Sequence, residues 1–142
     1  MKKQIYTKST SLREITTGLL NYADTFSFVI REKENLSREA FDLIRMLEPF
    51  LIEVKEASEW PGTKIFWEQA TLFKYHLNHE SEYLLSTAED NIFKWLQPYL
   101  PEDLVFYKCD LPVLVSITHE RVAYFEVENC DESLFRARNL IV

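Results

Sequence analysis

The sequence contains very little glycine, with only two such residues in 142. Loops that bind nucleotide phosphates need closely spaced glycines, because the backbone must approach the phosphate groups. The chain also has no Cys-x-x-Cys motif and no serine-nucleophile elbow. These absences argue against the common cofactor-dependent enzymes, and we expect no bound cofactor.

Long hydrophobic runs are also missing. No segment approaches the roughly 20 apolar residues of a membrane span, and the polar N-terminal residues do not resemble a secretory signal. The two cysteines, Cys109 and Cys130, are therefore expected to be free thiols. The sequence predicts a cytoplasmic protein that does not associate with membranes.

Positive charge is in deficit, and the net charge is -7. Nucleic acids and anionic lipids are themselves negative, so this charge opposes nonspecific binding to either. A protein partner, particularly a basic one, or a small molecule is more compatible with the charge. Solubility alone is the simpler explanation.

The chain is rich in hydrophobic and aromatic residues. Hydrophobic residues make up 46% of the sequence, charged residues 27% and aromatic residues 14%. This composition is typical of a globular protein, and the length suits one domain with one core. We therefore expect residues 1–142 to form a single domain.

The first half of the chain predicts two hairpins separated by a helix. Residues 12–20 and 25–31 alternate apolar and polar positions, which predicts a first pair of strands. Ser37 is placed to cap a helix that Pro49 ends. A second hairpin is predicted from residues 50–57 and 64–77, joined by a type II turn at Pro61 and Gly62.

The second half predicts helices around a three-stranded meander. Apolar residues at helical spacing predict a helix over 80–97, although Asp90 and Asn91 offer the start of a separate, shorter one. Asp131 is placed to cap a final helix. The predicted strands of the meander are residues 104–108, 112–118 and 121–128. Together these elements predict an α+β fold, with a mainly antiparallel sheet of about six or seven strands and two or three helices.

Two groups of residues are weak candidates for chemistry. His119, Glu120 and Arg121 combine a base, a carboxylate and an anion-binding group, as a hydrolytic site requires, but an ordinary charged hairpin tip is the favoured interpretation. His76, His79 and Glu80 offer nitrogen and oxygen ligands to a metal. Their spacing lacks the one-face geometry of metalloprotease motifs, so a solvated turn is favoured and we predict no metal.

A third group suggests binding rather than catalysis. Trp60 stands at the tip of the second hairpin, close to Glu56 and Glu59. An exposed indole on a rigid turn is a typical interface anchor, whereas an indole folded back over the sheet is the more common arrangement.

The leading hypothesis is a noncatalytic, acidic protein-binding or regulatory domain of the inhibitor or immunity type. The alternative is a small hydrolase or small-ligand-binding enzyme that uses His119, or His76 and His79. A third hypothesis is a homodimer, formed through an uncovered aromatic face or an edge strand.

Overall fold

An antiparallel sheet forms the frame of the protein. The computed structural model describes residues 4–126 and 132–142. The strands in these residues are β1 (Gln4–Tyr6), β2 (Thr25–Ile30), β3 (Leu51–Ala57), β4 (Glu59–Trp60), β5 (Thr63–Lys64), β6 (Ala70–His76), β7 (Glu102–Lys108), β8 (Leu111–Ile117) and β9 (Val122–Glu126). Seven of them form one sheet in the order β1-β9-β8-β7-β2-β6-β3, and β4 and β5 form a separate ribbon.

Helices occupy the connections between strands. The α-helices in the described residues are α1 (Leu12–Leu19), α2 (Arg38–Leu47), α3 (His79–Ala88) and α4 (Glu132–Ala137), and short 3-10 turns occupy Glu48–Phe50, Ile92–Lys94 and Thr118–Glu120. No helix in the described part of the chain is both long and apolar enough to cross a membrane. The predicted α+β fold with an antiparallel sheet is confirmed.

The prediction of a first strand over residues 12–20 was wrong, because residues 12–19 form helix α1 and Leu20 caps its C-terminus. Ser11 caps this helix by accepting a hydrogen bond from the Glu14 N–H at 3.3 Å. Leu12, Ile15 and Leu19 then lie on one buried face. The segment satisfies both the two-residue and the helical period, and the cap together with burial of this face favours the helix.

Other predicted elements are confirmed with changed limits. Ser37 caps α2, and β3 pairs with β6 as the second hairpin. The returning strand begins at Ala70 rather than at residue 64, and residues 65–69 form a loop. The meander of β7, β8 and β9 is present.

The predicted helix over residues 80–97 divides into two parts. Helix α3 ends at Ala88, and Asn91 caps a separate 3-10 turn by accepting a hydrogen bond from the Phe93 N–H at 2.9 Å. The shorter second helix was therefore the better alternative. The predicted cap at Asp131 and the thiol of Cys130 lie outside the described residues.

Aromatic side chains fill the layer between the helices and the sheet. The Phe26 and Tyr75 rings stack with their centroids 5.2 Å apart, and Phe28 lies 6.4 Å from Trp95. Burial raises the pKa of the Tyr75 phenol because the ionised form would lose its hydration. This layer is the main apolar core.

The β4–β5 ribbon covers part of the opposite face of the sheet. Trp60 packs there against Val29 and Leu72. Gly62 has the positive φ of +89° that the turn was predicted to need, and a Cβ at this position would lie 2.7 Å from a methyl carbon of Val115. Glycine therefore lets the ribbon tip lie directly on β8.

Candidate partner-binding surface

The loop of residues 65–69 presents two aromatic side chains to solvent. Trp67 is 98% exposed and Phe66 is 72% exposed. Folded proteins expose many single apolar residues, but two adjacent large rings form a concentrated apolar projection. This aromatic loop is the strongest candidate for a binding site on the surface described.

Both ends of the aromatic loop are fixed by backbone hydrogen bonding at the end of β3. The Ile65 N–H donates a hydrogen bond to the Ser58 carbonyl at 2.8 Å, and Ala70 pairs with Ala57, the last residue of β3. The loop therefore projects from a hydrogen-bonded base. Anchoring of this kind lowers the ordering cost of an interface.

Charged groups surround the aromatic loop. Glu59 and Glu68 are exposed, and Lys64 lies 5.7 Å from the centre of the Phe66 ring. Glu56 accepts hydrogen bonds from Lys33 at 3.1 Å and from Thr71 at 2.9 Å, and these bonds lower the pKa of its carboxyl group. Glu56 precedes Ala57, which pairs with Ala70 at the end of the loop, so this carboxylate lies near the base of the aromatic loop.

Trp60 adopts the more common of its two predicted arrangements, in which the indole folds back over the sheet, and it is not an exposed anchor at the hairpin tip. Its side chain is 5% exposed because the ribbon folds back over the sheet. The indole N–H donates to Asp103 Oδ2 at 3.0 Å, and the Arg31 guanidinium lies 5.4 Å from the ring. Phe66 and Trp67 do reach solvent, and they lie in a loop where the sequence predicts a strand over residues 64–77.

His119 makes its described contact with a residue that is distant in sequence. Its Nε2 lies 2.9 Å from Oε1 of the buried Glu102, whose Oε2 accepts a hydrogen bond from the Gln97 N–H at 3.0 Å. Glu120 is exposed, and Arg121 lies over the Phe93 ring. The sequence neighbours of His119 therefore do not supply its carboxylate partner, whereas Glu102 does.

His76, His79 and Glu80 occupy the join between β6 and α3. His76 ends the strand, and the other two residues begin the helix. Ser81 donates a hydrogen bond to the carbonyl of His76, which fixes the join. Within residues 4–126 and 132–142, no group of three or more His, Cys, Asp or Glu residues is arranged to hold a metal ion.

Comparison with known proteins adds no further guide to function. The chain gives no significant match to protein-family models, to curated proteins or to solved structures.

Proposed function

We propose that this protein is a noncatalytic protein-binding domain that holds a basic partner protein through its aromatic loop. The observation that carries the proposal is the near-complete exposure of Trp67 on a loop fixed at both ends. Tryptophan is the residue type most enriched among the dominant contacts of protein interfaces. Phe66 extends the same apolar projection.

The charge of the chain supports a basic partner. The net charge of -7 attracts positive surfaces over distances of about a Debye length. Glu59 and Glu68 lie exposed at the rim of the aromatic loop, where carboxylates steer association more than they add to affinity. The partner surface that fits is an apolar pocket with lysine or arginine at its edge.

Capture from the native cell extract tests the proposal. We expect a partner that binds the tagged wild-type protein and is lost from a Phe66→Ala, Trp67→Ala variant, with an affinity loss of at least about 30-fold. A Tyr83→Ala variant is the matched control, because Tyr83 is an exposed aromatic residue on α3. It is expected to retain the partner.

Tryptophan fluorescence then locates the contact. Trp60 and Trp95 are buried, so iodide in solution should quench chiefly Trp67. Binding at the aromatic loop is expected to protect the protein from iodide quenching, and raised salt to slow association. A captured partner that leaves Trp67 fully quenchable, or that binds the double variant equally well, would contradict the proposal.

A small hydrolase is a second candidate, and it rests on the His119 and Glu102 contact. A buried carboxylate that orients an imidazole is one part of a general-base site. The test is hydrolysis of p-nitrophenyl acetate above the buffer rate. Activity lost in His119→Gln and kept in His76→Gln would support this candidate, whereas no activity, or equal activity in both variants, would count against it.

A further inference from the structure

Strand β3 leaves one edge of the sheet open. It is the last strand in the sheet order, and no strand in residues 4–126 and 132–142 pairs with its outer side. Six of its seven residues are exposed. The strand at the opposite end, β1, spans three of the residues that the structure describes, Gln4–Tyr6. Short edge strands resist further pairing, whereas a long exposed one offers a row of unpaired backbone donors and acceptors.

The side chains of β3 are self-complementary in one antiparallel register. If Val54 lies opposite Val54 of a second copy, Glu53 of each chain lies opposite Lys55 of the other. Glu53 and Lys55 already approach within 3.8 Å on their own strand, so each carboxylate in the pair of copies has two ammonium neighbours. Opposite charges directly across an antiparallel pair stabilise it.

Neighbouring registers place like charges together. A register centred on Glu53 sets that carboxylate against itself, and one centred on Lys55 sets two ammonium groups opposite each other. Charges on an edge strand usually prevent pairing with other chains. Here their order disfavours these two registers and favours the one centred on Val54.

Apolar residues lie on the helix-covered side of the same edge. Val54 pairs with Phe73 and Leu51 with Tyr75, two aromatic residues of the layer beneath the helices. Leu51 also lines a shallow groove with Phe41 and Ile44 of α2. A two-fold axis perpendicular to the sheet keeps the helices of both copies on one side, so the apolar residues of both copies border the same seam.

We propose that a second copy of this chain pairs with β3, antiparallel and centred on Val54, joining the two seven-stranded sheets into one. The new backbone hydrogen bonds supply affinity, and the Glu53 and Lys55 pairs set the register. The aromatic loop lies beyond the Ala57 end of β3, so this interface does not require Phe66 or Trp67.

Sedimentation over a concentration series tests the pairing with the full chain. Wild type is expected to pass from monomer to dimer. Glu53→Lys and Lys55→Glu are each expected to weaken the dimer at least about tenfold, because each sets two pairs of like charges across the two-fold axis. Thermal unfolding of each variant checks that the monomer remains folded.

Mixing the two variants gives the decisive result. The Glu53→Lys chain carries lysine at both positions and the Lys55→Glu chain carries glutamate at both, so the mixture is expected to form a heterodimer that neither chain forms alone. Lys55→Glu mixed with Glu120→Lys, a reversal at an exposed position beside β8 and β9, is the matched control and should not gain this affinity.

A wild type that stays monomeric throughout the series, or variants that dimerise as strongly as wild type, would overturn the pairing. So would a mixture that associates no better than its components. The Phe66→Ala, Trp67→Ala variant is expected to dimerise normally. Failure of the partner-binding proposal is thereby distinguished from failure of this one.

Discussion

Replacement of Asp103 by alanine is expected to destabilise the protein by about 3–5 kcal/mol, because it removes the anion of a buried polar cluster. Asp103 is almost fully buried. Its carboxylate accepts hydrogen bonds from the Thr118 N–H at 2.9 Å and the Trp60 indole at 3.0 Å, and Arg31 lies 3.7 Å away. Alanine leaves two buried donors and a half-buried cation without this partner.

Asp110→Ala is a matched control for Asp103→Ala. Asp103 and Asp110 both have positive φ, at +57° and +66°, so alanine carries a similar backbone penalty at both positions. Asp110 differs because its side chain is exposed and bonded to Lys74 at the surface. Urea unfolding is therefore expected to show a far larger loss for Asp103→Ala than for Asp110→Ala.

Asp103→Asn tests the charge of Asp103 separately from its hydrogen bonds. Asn tolerates positive φ and keeps one acceptor oxygen, so Asp103→Asn is expected to cost less than Asp103→Ala. If Asp103→Ala and Asp110→Ala had equal unfolding free energies, the buried cluster would contribute nothing beyond backbone strain, and our account of how Trp60 is held over the sheet would be wrong.

This cluster shows why the sequence revealed only part of the molecule. Trp60 and Asp103 are 43 positions apart, and no local pattern predicts their hydrogen bond. The caps at Ser37 and Asn91 act within a few residues, and both were visible in the sequence. The prediction of a strand over residues 12–20 was wrong because this segment satisfies both the two-residue and the helical period. Burial against residues far along the chain decides between the two structures.

The candidate partner-binding surface was also predicted only in part. Glu56 and Glu59 are exposed, as a binding surface requires, while the indole of Trp60, predicted to bind beside them, is buried. A signal for the aromatic loop was present, because adjacent Phe66 and Trp67 cannot both face the same side of a strand. That break in alternation, followed by two polar residues, indicates a loop. The partner-binding role of Glu56, Glu59 and Trp60 remains a prediction.

Replacement of Trp95 by alanine is expected to cost about 3–5 kcal/mol of unfolding free energy, as is typical of a large aromatic side chain removed from a core. Trp95 is fully buried, and its indole N–H donates to the Glu89 carbonyl at 2.9 Å. Its ring packs against Phe28 in the layer between helices and sheet. Urea unfolding measures the loss, and Trp95→Phe, which keeps an aromatic ring, is expected to retain part of the stability.

The unfolding free energy of Trp67→Ala should be compared with that of Trp95→Ala, because the comparison bears on the partner-binding proposal. Because Trp67 is almost entirely in solvent, its removal should change stability by no more than about 0.5 kcal/mol. The same substitution at the two positions thus distinguishes a tryptophan that stabilises the core from one that contributes only to the surface. If Trp67→Ala were as destabilising as Trp95→Ala, the exposed indole would be part of the fold and the partner-binding proposal would lose its anchor. Normal stability combined with lost partner binding assigns the aromatic loop to recognition.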